Sequence, residues 1–143
     1  MSTSPLAQRM AELGTALGAR EAEHATAIAA AWQRAGSLRV DVAEALDAFT
    51  AAATSAGAPQ LAVRLGETRT DDKHLRSVEF DLARGRHRAI VVVKSRGEVT
   101  LVGPFHQGKA EGPCKSFPFA AEDEIRSALG DFLEKFLAEA ATP

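Results

Sequence analysis

The fold is decided by residues 77–105, which read SVEFDLARGRHRAIVVVKSRGEVTLVGPF. In the first part, Val78, Phe80 and Leu82 are separated by acidic residues. Alternation of this kind predicts a half-buried strand. Residues 88–95 and 98–105 follow as two more strands, and both connections carry a glycine, as tight hairpins require. We therefore predict an antiparallel meander.

A further strand is predicted ahead of this stretch. Leu61, Val63 and Leu65 alternate with small or polar residues, and a longer polar link covers residues 66–74. Residues 106–118 contain two glycines and two prolines and are predicted to be loop. The sheet is thus expected to have four strands.

The strand register depends on the first hairpin turn. A two-residue turn at Gly85 and Arg86 places Val91 beside Phe80, whereas a three-residue turn places Ile90 there. The run from Ala89 to Val93 is apolar on both sides of the pleat, so both sheet faces need cover. One face is expected to meet a helix, and the other the remaining helix or another copy of the protein.

The N-terminal region is predicted to be helical from Ser4 and Pro5, a favoured N-cap and first helical residue. Its narrow apolar stripe consists of Leu6, Met10, Leu13 and Leu17, at spacings of four, three and four residues. The stripe continues weakly through His24, Ile28 and Trp32. Such a stripe exceeds what its alanine-rich flanks can bury within one small domain, which favours self-association or a partner helix. The alternative is packing on the protein's own sheet.

Two interpretations of this helical arm stay open. Gly36 and Ser37 can end or kink the helix, and Asp41 and Glu44 resemble a capping box for a second one. The alternative is one bent helix over residues 5–56. A C-terminal amphipathic helix packed on the sheet is predicted from the wide apolar stripe of Ile125, Leu129, Phe132, Leu133, Phe136 and Leu137.

These elements define an α+β fold in a single domain, 1–143. It comprises a helical arm (1–59), an antiparallel sheet and loop (60–115) and a C-terminal helix (116–143). Lys and Arg number 11 against 7 acidic residues in the middle segment, but 4 against 6 and 2 against 6 in the flanking ones. The sheet is therefore the surface on which an anionic partner is expected.

Cys114 is the only cysteine, so no internal disulfide can form. The N-terminus lacks the apolar run of a signal peptide, and no stretch approaches the ~20 apolar residues of a membrane span. We expect a cytoplasmic protein without a membrane partner.

The basic turns are candidate anion contacts, and they comprise Arg84, Arg86, Arg88, Lys94 and Arg96. They could hold the phosphates of a nucleic acid or another polyanion. Cations at strand ends also keep sheets from aggregating, which is the plainer explanation. Consecutive turns of a meander lie at opposite ends of the sheet, so the two groups need not form one patch.

No catalytic, cofactor or metal site is predicted. A ligand pocket or reactive thiol could form around Cys114, His106 and Lys109, but no base stands at a recognisable spacing. The polar link holds three potential metal ligands without a fourth partner, and a solvated turn explains them as well: Asp71, Asp72 and His74.

The leading hypothesis is a small non-enzymatic protein-binding protein, adaptor- or chaperone-like, that forms a homodimer through an apolar helix or sheet surface. The predicted contact residues are Leu6, Met10, Leu13, Leu17 and Trp32. The alternatives are a polyanion binder that uses the basic turns and a small ligand-binding protein or enzyme around the Cys114 loop.

Overall fold

The computed structural model describes residues 4–71, 76–109 and 112–142. The elements in chain order are α1 (Pro5–Ser55), a 3-10 turn (Pro59–Leu61), β1 (Arg64–Leu65), β2 (Arg69–Thr70), β3 (Ser77–Arg84), β4 (His87–Lys94), β5 (Glu98–His106), β6 (Cys114–Pro118) and α2 (Glu122–Ala140). The class is α+β, as predicted, with a long N-terminal helix, an antiparallel sheet and a C-terminal helix.

Helix α1 is one unbroken helix of 51 residues. The predicted helix end at Gly36 and Ser37 is wrong, and the alternative of a single helix holds. A helical glycine costs about 1 kcal/mol relative to alanine. Ala35 and Leu38, on either side of this pair, are buried against the rest of the domain. Their packing offsets the local cost, so the helix continues.

The sheet has more strands than the four predicted. Its order is β1-β3-β4-β5-β6, and β2 pairs with the other end of β3. The first predicted strand is shorter than expected, because residues 59–61 form a 3-10 turn. Strand β6 lies in the segment predicted to be loop. Its last residue, Pro118, fits because β6 is an edge strand with one side free of ladder hydrogen bonds.

The central register follows the two-residue turn. Phe80 pairs with Val91 and Val78 pairs with Val93. Gly85 has a φ of 58°, a left-handed conformation that glycine adopts without strain. The alternating residues of β3, β4 and β5 therefore point to a common core.

Both helices pack on the same sheet face. The core combines alternate residues of β3, β4 and β5 with one side of each helix; its helical members are Ala31, Ala35, Leu38, Val42, Leu46, Ile125, Leu129, Phe132, Leu133, Phe136 and Ala140. The expectation that the second helix might cover the opposite face is wrong. Among the described residues, no helix lies on that face.

Candidate functional site

The N-terminal part of α1 extends beyond the domain. We call residues 5–23 the overhang, because every one of them is exposed. Ser4 caps the helix by accepting a hydrogen bond from the amide of Ala7 at 3.1 Å, and Pro5 occupies the first helical turn. The helix therefore starts at a defined cap.

The predicted stripe lies along this overhang, and all four of its side chains are exposed. Leu6 is 65% exposed, Met10 51%, Leu13 50% and Leu17 45%. Large apolar side chains in contiguous exposed patches mark interaction surfaces in folded proteins. The stripe is the largest such group that the described residues show on one helix face.

The stripe and the buried side of α1 belong to one helix face. Going down the chain, His24 follows Leu17 after seven residues, or about two helical turns, and Ile28, Ala31 and Ala35 then follow at spacings of four, three and four. Residues at these spacings stack on one side of a helix. The face that packs on the sheet in the second half of α1 thus points the same way in the overhang, where no sheet is present to cover it.

The overhang is poorly suited to stand alone. Gly14 and Gly18 each cost about 1 kcal/mol relative to alanine. Most helix stability in proteins comes from packing of an apolar face, and every residue of the overhang is exposed. A partner on the stripe would supply that packing.

Trp32 does not join this patch. It is 40% exposed but lies about 22 Å along the helix from Leu17, at a rise of ~1.5 Å per residue. Ala31 and Ala35 take the buried positions of that part of α1, and Trp32 stands beside them at the rim of the core. Four of the five predicted contact residues therefore form one surface, and the fifth is separate.

The predicted anion contacts form two groups. Arg84, Arg86 and Arg88 lie at the β3–β4 turn, whereas Lys94 and Arg96 lie at the β4–β5 turn. These turns are at opposite ends of the meander. Arg96 pairs with Glu98, with 2.9 Å between the guanidinium and the carboxylate. The second group is therefore partly neutralised.

The arginines of the first group differ in their contacts. Arg84 donates to the carbonyl oxygens of Gln60 and Ala140, so it ties the C-terminal end of α2 to the sheet. Arg88 donates to carbonyl groups of its own turn and to the side chain of Gln107. The backbone carbonyl of Arg86 accepts a hydrogen bond from the amide of Gln107, but its exposed side chain makes no hydrogen bond or ion pair with the described residues.

A cleft of about 530 Å³ lies beside Arg86, between the β3–β4 turn and the end of α2. The imidazole rings of His87 and His106 meet edge to face in it, with centroids 5.0 Å apart. His87 Nε2 lies 3.2 Å from the carbonyl oxygen of Thr142. Its Nδ1 is buried without a hydrogen-bond partner among the described residues. No sequence motif marks this pair, since the two histidines are distant along the chain.

The residues of the third hypothesis are not brought together. Cys114 is exposed and pairs with Val102 across β5 and β6. His106 stands four residues farther along β5, about 13 Å away at a strand rise of ~3.3 Å per residue. Cys114 does not line the cleft that holds His106. Lys109 is exposed, beyond the end of β5.

The sheet face away from the helices is mixed in character. Ile90 stands opposite Asp81 and Val102, and Val92 stands opposite Glu79 and Thr100. The side chains of the adjacent strands therefore half-bury Ile90 and Val92, although no helix covers this face among the described residues. The side-chain oxygens of Thr100 and Ser116 are 2.8 Å apart, which satisfies both hydroxyls.

An ion cluster at one side of this face was not anticipated. Arg69 lies 3.0 Å from Glu79 and 3.1 Å from Asp81. Partial burial raises the pKa of Glu79, and the attraction of Arg69 opposes that effect only in part. At the sheet end near β6, a hydrogen bond with Ser116 lowers the pKa of Glu98.

No group of three or more potential metal ligands occurs within residues 4–71, 76–109 and 112–142. Of the metal-ligand candidates in the polar link, Asp72 and His74 lie outside the described residues. In the part of the chain that the structure describes, no helix has both the length and the hydropathy needed to span a membrane.

Comparison of the chain with protein-family models, with curated proteins and with solved structures found no match. Function must therefore be argued from the surfaces described above.

Proposed function

We propose that this protein is a non-enzymatic protein-binding protein that self-associates as a homodimer through the overhang of α1. One observation carries the proposal: four large apolar side chains stand on one face of a capped, regular helix and are each about half exposed or more. These residues are Leu6, Met10, Leu13 and Leu17.

The free energy gained by burying the stripe determines the dimer affinity that we expect. Fully burying one such side chain stabilises by ~1.5–3 kcal/mol, and about half of each is still exposed. The eight side chains of a dimer would then contribute roughly 6–12 kcal/mol. Association costs at least about 4 kcal/mol, so the net gain is at most about 8 kcal/mol and the dissociation constant is roughly micromolar or weaker.

Sedimentation equilibrium of the full chain, up to several hundred micromolar, tests this proposal. Wild-type protein should show a reversible monomer–dimer equilibrium. Leu13→Asp places a charge in the stripe and should abolish the dimer. Thr15→Asp is the matched control, because it adds the same charge in the same turn on the opposite side of the helix.

Two results would overturn the proposal. One is a wild-type protein that stays monomeric over the whole concentration range. The other is a dimer that Leu13→Asp and Thr15→Asp affect equally, since the stripe would then play no special part.

A second candidate function is anion binding at the β3–β4 end of the sheet. It is favoured by the unpartnered Arg86 beside the cleft that holds His87 and His106. Fluorescence anisotropy with a labelled single-stranded oligonucleotide should show binding that weakens steeply with salt and is lost in Arg86→Ala. Arg96→Ala, at the other end of the sheet, should leave binding intact. An oligonucleotide that does not bind at low salt removes this candidate.

A further inference from the structure

We infer that the two overhangs of the dimer pack antiparallel about a twofold axis that passes between the helices at the level of Thr15. This inference rests on the self-association proposed above and adds its geometry. It follows from three features of α1: the continuity of its apolar face, the charges that flank the stripe and the small residues at its centre.

The domain itself excludes a parallel pair. From Ile28 onward, the face that carries the stripe is occupied by the chain's own sheet and by α2. Two helices side by side in the same direction would bring both domains into the same space. In an antiparallel pair each domain lies beyond the N-terminus of the other helix, so the domains stand at opposite ends.

The edge of the domain also limits how far the two helices can overlap. The partner helix can advance along the overhang only until its N-terminus reaches the core, which begins at Ala31. The deepest alignment that keeps stripe facing stripe places Leu13 against the partner's Leu17. It places Leu6 beside the partner's His24, the first half-buried residue of α1.

The charges agree with this alignment. Arg9 and Glu23 flank the stripe on the same side. In the antiparallel pair Arg9 lies near the partner's Glu23, and the twofold axis generates this ion pair twice. Arg20 takes the next position after Leu17 on the same helix face and lies beside the partner's Met10. The methylene groups of Arg20 can pack there while the guanidinium reaches water. A parallel pair would instead set Arg20 against the partner's Arg20.

Small residues lie where the two helices would come closest. Gly14 and Ala16 flank the stripe on its two sides and stand next to the proposed axis. A Cβ built at Gly14 meets no atom within 4 Å in the single chain, so packing within the domain does not require glycine there. Close approach of a second helix would use that space.

Distances between paired spin labels test the orientation. Gln8, Thr15 and Ala22 are spaced by seven residues on the outer side of the overhang, and each is changed to cysteine in a Cys114→Ser background. In the antiparallel dimer the two labels are closest at Thr15. They are farther apart, by equal amounts, at Gln8 and Ala22, where the axial offset reaches about 21 Å.

Charge reversal provides an independent readout. Arg9→Glu should weaken the dimer roughly three- to tenfold, because it replaces two attractions with repulsions. Adding Glu23→Arg should restore the affinity. Glu12→Arg, on the outer side of the helix, is the control and should change the affinity less than Arg9→Glu does.

The outcomes separate the two proposals. A dimer with the same label distance at all three positions is parallel and overturns the inference, while the proposed function stands. A dimer whose shortest distance lies at Gln8 or Ala22 has another register and also overturns it. A wild-type protein without any dimer overturns the proposed function, and the inference falls with it.

Discussion

The guanidinium of Arg34 lies over the ring of Phe119, with 4.9 Å between its carbon and the ring centroid. It also donates to the carbonyl oxygen of Phe119 at 2.8 Å and approaches the carboxylate of Glu122 to 3.5 Å. This one side chain therefore joins the middle of α1 to the segment that leads into α2.

Removing that joint should destabilise the fold. We expect Arg34→Ala to lower the free energy of unfolding by about 1–2 kcal/mol, because a hydrogen bond and a cation–π contact are lost together. Arg34→Lys should recover only part, since lysine lacks the planar fork. Urea denaturation measures both. Arg126→Ala, an exposed arginine of α2 without a partner among the described residues, should stay within ~0.5 kcal/mol of wild type.

Gly66 has a different structural role from the glycines of α1. Its amide donates to the carbonyl oxygen of Asp81 at 2.8 Å, and a Cβ there would collide with the Asp81 carboxylate. Gly66→Ala should therefore destabilise by about 1–3 kcal/mol. Gly36 lies in α1 with open space around it, so Gly36→Ala should stabilise by about 0.5–1 kcal/mol. Equal effects in thermal unfolding would contradict this contrast.

Helix content should depend on protein concentration. The overhang accounts for 19 of the residues in two helices of 51 and 19, or about a quarter of all helical residues. If a second copy supports it, dilution well below the dissociation constant should let it fray. We expect far-ultraviolet circular dichroism to lose up to about a quarter of its helical signal. Leu13→Asp should show the reduced signal at every concentration, and a wild-type signal independent of dilution would refute the expectation.

The ionisation of Glu79 should reduce stability. Its pKa is raised chiefly by burial, so the folded state holds the proton more tightly than the unfolded state does. The stability from the protonated form is present below the unfolded pKa and is lost as the pH rises through the folded pKa. Relative to wild type, Glu79→Gln should therefore gain stability as the pH rises from the unfolded pKa of the carboxyl group through its raised folded pKa.

Glu98 provides the opposite case. A hydrogen bond with Ser116 and the nearby Arg96 and Lys94 lower its pKa, so its stabilising effect is present above the unfolded pKa and lost as the pH falls. Glu98→Gln should be less stable than wild type at neutral pH, and the difference should vanish in acid. Denaturant titrations at several pH values compare the variants; the same sign for both would show that the assigned causes are wrong.

The sequence determined the centre of the sheet more firmly than its edges. The pairing of Phe80 with Val91 was one of two registers that the sequence left open, because residues 89–93 are apolar on both sides of the pleat. The two-residue turn at Gly85 and Arg86 decides between them. Strand β6 was missed because Pro113, Pro118 and Gly112 are typical of a loop. An edge strand needs few apolar residues, so no local pattern separates it from a loop.

The long-range features were harder to predict. The pattern of α1 correctly indicated a stripe, but whether the domain covers that stripe depends on where the sheet ends in space. Likewise, the corner formed by His87 and His106 arises from strand pairing, and no motif marks it. The helix end predicted at Gly36 was wrong because glycine disfavours helix only weakly. The burial of Ala35 and Leu38, which the local sequence does not reveal, outweighs that preference.

Because α1 is continuous, the direction in which the stripe faces is determined by the number of residues between the overhang and the core. Each residue advances a helix by about 100°, since a turn takes ~3.6 residues. Inserting two residues between Gly18 and Ile28 would swing Leu6, Met10, Leu13 and Leu17 to the far side of the rod while leaving the domain unchanged. Inserting seven would lengthen the rod by about 10 Å and keep its direction. The reach of this protein can thus change in whole heptads without any change in its core.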